Sequence, residues 1–225
     1  MSYRLSPTSL NLFLNCPRCF WLQFNQDIHR PKTFFPSLPG GMDLVIKDYF
    51  DRYRSQNELP PEIDGRVHGR LVSDQKLMDC WRNWKTGLEV SITELDTILF
   101  GALDDCLVDN QEYLPLDYKT RGFKPEKSNG MESYYRNQLD CYALLLDTNG
   151  FTAGRSGFLI YYYPLSVYGQ GTVKFGVETV EIKVDVKRAR KTLERAVACL
   201  RGTEPEAHTR CEYCGWQNRL SSELD

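Results

Sequence analysis

The chain has 225 residues, 41% apolar, 26% charged and 12% aromatic, a balance that excludes disordered, collagen-like and coiled-coil classes and suits one generous domain. Its 28 basic and 30 acidic residues leave a net charge of −2, which argues against a surface that grips nucleic acid everywhere but leaves room for a local basic groove. No apolar run approaches the roughly 18 residues that span a bilayer, and Asn11, Asn15 and Pro17 interrupt the opening stretch, so no membrane segment or secretory leader is expected and the expected compartment is the cytoplasm.

Helical period dominates the first third. Ser6 is placed to cap a helix with Pro7 in its first turn and Leu10, Phe13 and Leu14 at helical spacing. Cys16 is expected toward the end of that helix. The Pro- and Gly-rich residues 31–41 read as a loop. A second helix is expected over about residues 42–53, with Val45, Ile46, Tyr49, Phe50 and Tyr53 on one side. A third follows Pro60-Pro61, near residues 73–84, where Leu77, Trp81 and Trp84 share a face.

The period then shortens to two. Leu88, Val90 and Ile92 alternate, and residues 98–108 and 112–119 read as two strands joined through Asp109-Asn110. A helix over about residues 131–146 precedes a hairpin of residues 157–163 and 172–184. In the second hairpin strand the alternation slips from Val173, Phe175 and Val177 to Val180, Ile182 and Val184, which predicts a bulge near residues 176–179. The last helix runs from an Asp185 cap to Gly202, with Ala189, Leu193, Ala196, Val197 and Leu200 as its stripe. This order predicts a mixed α/β fold, a central sheet flanked by helices, in one domain over 1–225. Its parts are a mainly helical 1–86, a sheet and helix over 87–184, and a final helix with a cysteine segment over 185–225.

Asp117 and Lys119 stand two apart on a predicted strand, so they project from one face, with Leu114, Leu116 and Tyr118 on the other. Asp104 is expected on the preceding strand, within reach of Asp117. Two carboxylates converging with an amine are costly without a cation, and a hard ion such as Mg²⁺ takes one or two carboxylates, waters and a phosphate oxygen. Such a site suits phosphodiester hydrolysis; an ordinary surface ion pair between Asp117 and Lys119 is the plainer alternative.

The two ends carry Cys16-Pro17-Arg18-Cys19 and Cys211-Glu212-Tyr213-Cys214. Two such pairs can converge on one soft metal centre, iron–sulfur or Zn²⁺. A redox dithiol is the rival, disfavoured by the expected place of Cys16 at a helix end. Cys80, Cys106, Cys141 and Cys199 lie among apolar residues and read as core filler. Arg121, Lys124 and Lys127 follow the Asp117 strand in a loop. The last helix carries Lys187, Arg188, Arg190, Lys191 and Arg195, a set suited to DNA backbone contacts or simply to a solvated face. Tyr134, Tyr135 and residues 161–163 are candidates for stacking on unpaired bases, with core packing as the plainer expectation.

Gly101-Ala102-Leu103-Asp104, then Leu116-Asp117-Tyr118-Lys119-Thr120, then Gln138-Leu139-Asp140-Cys141-Tyr142 resemble the successive motifs of the PD-(D/E)XK nuclease superfamily. The resemblance is to its RecB-like branch, which includes the iron–sulfur exonucleases of CRISPR adaptation. It implies a restriction-endonuclease-like core and a Mg²⁺- or Mn²⁺-dependent deoxyribonuclease, an exonuclease on single-stranded DNA or free ends. Asp104 and Asp117 become metal ligands, Lys119 the catalytic lysine and Gln138 the glutamine of the branch, with Tyr142 one helical turn on, both counted with them as catalytic residues on one helix face. It also implies a [4Fe–4S] cluster on Cys16, Cys19, Cys211 and Cys214, with Zn²⁺ as the alternative, and partners in CRISPR adaptation or recombination. The branch places a histidine ligand in an early helix; here His29, His68 and His208 do not fall there. Asp43 is the nearest substitute, as a metal ligand or simply as an acid favouring a helix N-terminus. A nuclease-like module that binds DNA or protein without cutting, with a structural metal site, is the alternative.

Overall fold

The computed structural model describes residues 2–31, 37–125 and 131–216. The chain runs β1 (Tyr3–Leu5), α1 (Pro7–Asn15), α2 (Pro17–Asn25), α3 (Ser37–Gln56), β2 (Arg70–Leu71), α4 (Gln75–Arg82), β3 (Leu88–Ile92), β4 (Thr97–Gly101), β5 (Asp105–Asp109), β6 (Glu112–Thr120), α5 (Met131–Thr148), β7 (Ser156–Val167), β8 (Val173–Lys183) and α6 (Val186–Arg201). A five-stranded sheet has the order β2-β5-β6-β7-β8, and a three-stranded sheet the order β1-β4-β3. Within the larger sheet β6 and β7 are parallel and the other neighbours antiparallel. The expected mixed α/β architecture is therefore present.

Two apolar layers sandwich the larger sheet. Leu159 and Tyr161 of β7 join Leu139, Tyr142 and Leu145 of α5 and Leu193 and Val197 of α6 in one cluster. Phe158, Ile160 and Tyr162 of β7, with Leu114, Leu116 and Tyr118 of β6, pack against Ile46 and Phe50 of α3 in the other. Strand alternation thus sends Asp117 and Lys119 toward the α5 side. The first cluster draws on residues from Leu5 to Leu200, so both ends of the chain contribute to it.

Several expectations need correction. The opening helix is two helices: Pro17 restricts the residue before it, and Cys16, at φ −157° and ψ 106°, ends α1 and caps α2. Ser6 and Ser9 form a reciprocal capping box at the start of α1. α3 begins at Ser37, so Asp43 lies in its second turn and not at its N-terminus. Val45 faces solvent, and α4 ends at Arg82, leaving Trp84 outside the helix and 70% exposed.

The single strand expected over 98–108 is two strands in different sheets. It breaks where Leu103 N–H donates to the Trp81 carbonyl at 3.0 Å, diverting the chain from β4 into β5. The predicted bulge is absent from β8; β7 carries one instead, between Pro164 and Ser166. The slip in β8 has another cause: Phe175 and Val177 pack into the α3-side cluster, whereas Val180, Ile182 and Val184 pack into the α5-side cluster. Opposite ends of one regular strand bury opposite faces.

Candidate active site and four-cysteine centre

The site forms where the chain turns from β4 into β5 beneath α5. Asp104 occupies the bend just before β5, not a strand position. Because Asp105 pairs with Leu116 across β5 and β6, Asp104 lies beside Asp117, and its Oδ2 accepts from Tyr118 N–H at 3.2 Å. Asp105 takes the other side. Its buried carboxylate accepts from Arg54 at 2.6 and 2.7 Å, Arg82 at 2.8 Å and the Tyr118 hydroxyl at 2.6 Å. Asp51 completes this network, accepting from Arg82 at 2.7 and 2.9 Å and from Arg54 at 3.1 Å.

Asp117 is 1% exposed and pairs with the Lys119 ammonium. Gln138 of α5 bridges the group: its Nε2 donates to Asp117 Oδ1 and to the Tyr142 hydroxyl, both at 2.8 Å, and its Oε1 accepts from Lys119 Nζ at 3.4 Å. Lys119 Nζ also lies 4.7 Å from the Tyr135 ring centre. Gly101 packs tightly beneath α5: a Cβ there would meet Leu145 Cδ1 at 3.0 Å and Tyr142 Cε1 at 3.2 Å, so those side chains would have to shift by a few tenths of an ångström. Lys47 of α3 stands between two acids, 2.9 Å from Asp104 Oδ1 and 2.8 Å from Asp43 Oδ2. Asp43 therefore contacts the group through Lys47.

Electrostatically the site is short of positive charge. Burial, then the neighbouring Asp104, pushes the Asp117 carboxyl up to about 7, and Lys119 offsets this only in part. Burial opposes the charge on Lys119, but Asp117 and Asp104 outweigh it and hold the ammonium above its usual range. Burial, reinforced by Asp117 and Asp104, keeps the Tyr142 hydroxyl protonated well beyond its ordinary range. Adjacent carboxylates with oxygen donors only, one of them buried, fit a hard divalent cation. Asp104 and Asp117 could hold one.

Arg121 follows at the end of β6: its backbone N–H donates to the Tyr162 carbonyl at 2.9 Å, and its guanidinium lies 4.5 Å from the Phe123 ring centre and 5.9 Å from that of Tyr161, a residue of the α5-side cluster. Lys124 is exposed and 3.5 Å from Glu178. Lys127 lies outside the described residues, as does the Tyr134 side chain. The basic run of α6 is partly consumed within the fold. Arg188 binds Asp140 at 2.6 and 2.7 Å, and Arg190 binds Glu94 at 2.5 Å and Glu194 at 3.0 Å. Tyr161, Tyr162 and Tyr163 are buried and so are not base-stacking platforms. Sequence reasoning missed the Arg54–Arg82–Asp105 network, whose members are scattered over some fifty residues with no local spacing to betray them.

At the other centre, Cys16, Cys19, Cys211 and Cys214 converge, with all four sulfurs within 4.8 Å of one another. None of the eight cysteines forms a disulfide. Cys16 caps a helix N-terminus, so the positional objection to a redox thiol does not hold; the convergence of four buried sulfurs is what favours a metal. Arg30 Nη2 donates to Cys211 Sγ at 3.5 Å, and its guanidinium stacks 4.5 Å from the Tyr213 ring centre. Of the other cysteines, Cys106 and Cys141 are buried and Cys199 partly so, but Cys80 is exposed and fills no core.

Among the described residues, no helix is long and apolar enough to cross a membrane. The family model of the PD-(D/E)XK nuclease superfamily matches residues 45–219. No curated protein matches the chain. A solved structure described as "Crystal structure of SSO0001" is similar to it at 14% identity, covering 96% of this chain and 84% of that one, with a TM-score of 0.48.

Proposed function

Because the chain belongs to the PD-(D/E)XK nuclease superfamily, we propose that it is a Mg²⁺- or Mn²⁺-dependent deoxyribonuclease that hydrolyses phosphodiester bonds, acting on single-stranded DNA or free ends. The observation that carries this reading is the meeting of Asp104, Asp117, Lys119 and Gln138 at one point beneath α5. Asp104 and Asp117 would hold the cation, which when bound would polarise the phosphoryl group and lower the pKa of water. Lys119, already charged, orients the attacking oxygen and stabilises developing negative charge. Gln138 fixes both partners, donating to Asp117 while accepting from Lys119, and the Tyr142 hydroxyl accepts the second hydrogen of the same amide. Arg121 supplies a phosphate contact beside the site.

The order of motifs, with the glutamine one helical turn before a tyrosine, supports a RecB-like exonuclease of DNA repair, recombination or CRISPR spacer processing. Cleavage of end-labelled single- and double-stranded DNA in Mg²⁺ and in Mn²⁺ tests the proposal. Asp117→Asn and Lys119→Ala should each lower the rate about 100-fold or more with the far-ultraviolet spectrum unchanged. The Lys47 ammonium held between Asp43 and Asp104 favours a second reading, a module that binds DNA without cutting. Tight DNA binding with no cleavage in any divalent metal would select it.

A further inference from the structure

We propose that the four cysteines hold one tetrahedral Zn²⁺ ion and not the [4Fe–4S] cluster that the family resemblance implies. The inference is independent of the nuclease reading and rests on the spacing of the sulfurs. Cys19 Sγ lies 3.6 Å from Cys211 Sγ and 3.5 Å from Cys214 Sγ, and Cys16 Sγ lies 3.9 Å from Cys214 Sγ. A tetrahedral zinc ion with Zn–S bonds near 2.3 Å sets its ligand sulfurs about 3.8 Å apart. A cubane places each thiolate on its own iron, so the iron–iron edge adds to the metal–sulfur reach and drives the sulfurs to about 6 Å apart. The whole group spans at most 4.8 Å, too little for a cube and within about 1 Å of the spacing around a single ion.

The scaffold explains why the spacing is tight. Each pair is a Cys-x-x-Cys on a helical turn: Cys16 caps α2 and Cys19 lies in its first turn, while Gly215 N–H closes a turn onto the Cys211 carbonyl at 2.9 Å. The two turns face each other, two sulfurs from each, the two-plus-two donor arrangement of closed structural zinc sites. Four thiolates around Zn²⁺ leave a net charge of −2. Arg30 answers part of it, with its guanidinium on Cys211 Sγ at 3.5 Å and stacked on Tyr213; such outer contacts orient and neutralise metal–thiolate centres.

The test is metal analysis and spectroscopy on the full chain, expressed in zinc- and iron-replete medium and purified without oxygen. One zinc per chain is expected, with no acid-labile sulfide and no visible absorption. Exchange to Co²⁺ should produce the intense visible bands of a tetrahedral tetrathiolate, lost in Cys19→Ser. A brown protein with about four irons and four sulfides per chain would overturn the proposal, as would one iron without sulfide or a metal-free protein with a reversible disulfide. Because Asp104 and Asp117 lie outside this centre, loss of cleavage and loss of zinc are read separately.

Discussion

Arg82 holds Asp104 by its backbone: Nε donates to the Asp104 carbonyl at 2.8 Å, while Nη2 reaches the Asp105 carboxylate at 2.8 Å. One guanidinium thereby fixes both residues at the bend from which Asp104 approaches Asp117. Arg82→Ala removes this support and leaves Asp105 with one cation, Arg54, beside the Tyr118 hydroxyl, a loss expected to cost about 3 kcal/mol. Arg82→Lys keeps a charge near Asp51 and Asp105 but cannot reproduce the fork. It should recover much of the stability while still requiring more Mn²⁺ for half-maximal cleavage. Urea denaturation and a Mn²⁺ titration of activity check the two halves, and an unchanged metal requirement in Arg82→Lys would reduce Arg82 to a purely structural role.

Gln138 joins Asp117, Lys119 and Tyr142 without being able to exchange a proton itself. Gln138→Ala should slow cleavage about tenfold to a hundredfold, less than Asp117→Asn, because the acids and the amine remain. Tyr142→Phe deletes only the acceptor of the second amide hydrogen, worth about 1 kcal/mol of stability, and should leave the rate within a few-fold of the parent. Turnover rates measured at saturating DNA and metal distinguish this order of effects from one in which Tyr142 does chemistry.

The pairing of Asp117 with Lys119 was legible because a spacing of two on a strand is a covalent constraint: wherever β6 packs, both residues share its face. Asp104 was legible as a residue but not as a position. Its place off the strand depends on the Trp81 carbonyl and on Arg82, contacts that bring α4 to the β4–β5 turn only in three dimensions. The break at Cys16 was written in Pro17 but hidden by continuous apolar spacing on both sides. The change of face in β8 mimicked a bulge because local alternation does not reveal that two cores lie on opposite sides of one strand.

Asp117 makes the metal-free protein sensitive to pH. Unfolded it titrates near 3.8; folded, burial and then Asp104 raise it to about 7. The folded state therefore holds the extra proton between those values. Its contribution to stability is fully present below about 4, is lost as pH rises through the window, and is gone above about 7. Denaturation midpoints in chelator should accordingly fall between pH 5 and pH 8 for the parent and change less for Asp117→Asn, and Mg²⁺ at pH 8 should restore the parent. A parent midpoint that climbs across this range in step with the variant would count against a buried acid awaiting a cation.

Removing the metal at the four cysteines should reach the candidate active site through α1. The centre clamps the α1–α2 junction to the C-terminal turn, and α1 meets α5 where Asn137 Nδ2 donates to Asn11 Oδ1 at 2.8 Å, one residue before Gln138. Closing a loop of nearly 200 residues costs roughly 5 kcal/mol of chain entropy, which the metal–thiolate bonds offset. Cys214→Ser should therefore lower the thermal midpoint by many degrees and speed hydrogen exchange in α1 and α2 before α6. At a temperature where the variant stays folded, cleavage should fall by a smaller factor than in Gln138→Ala, since Gln138 is loosened and not lost. Asn11→Ala separates the routes: it keeps the metal and should reproduce part of the loss in rate with little of the loss in midpoint, whereas a full rate in Asn11→Ala would show that the termini stabilise the fold without guiding α5.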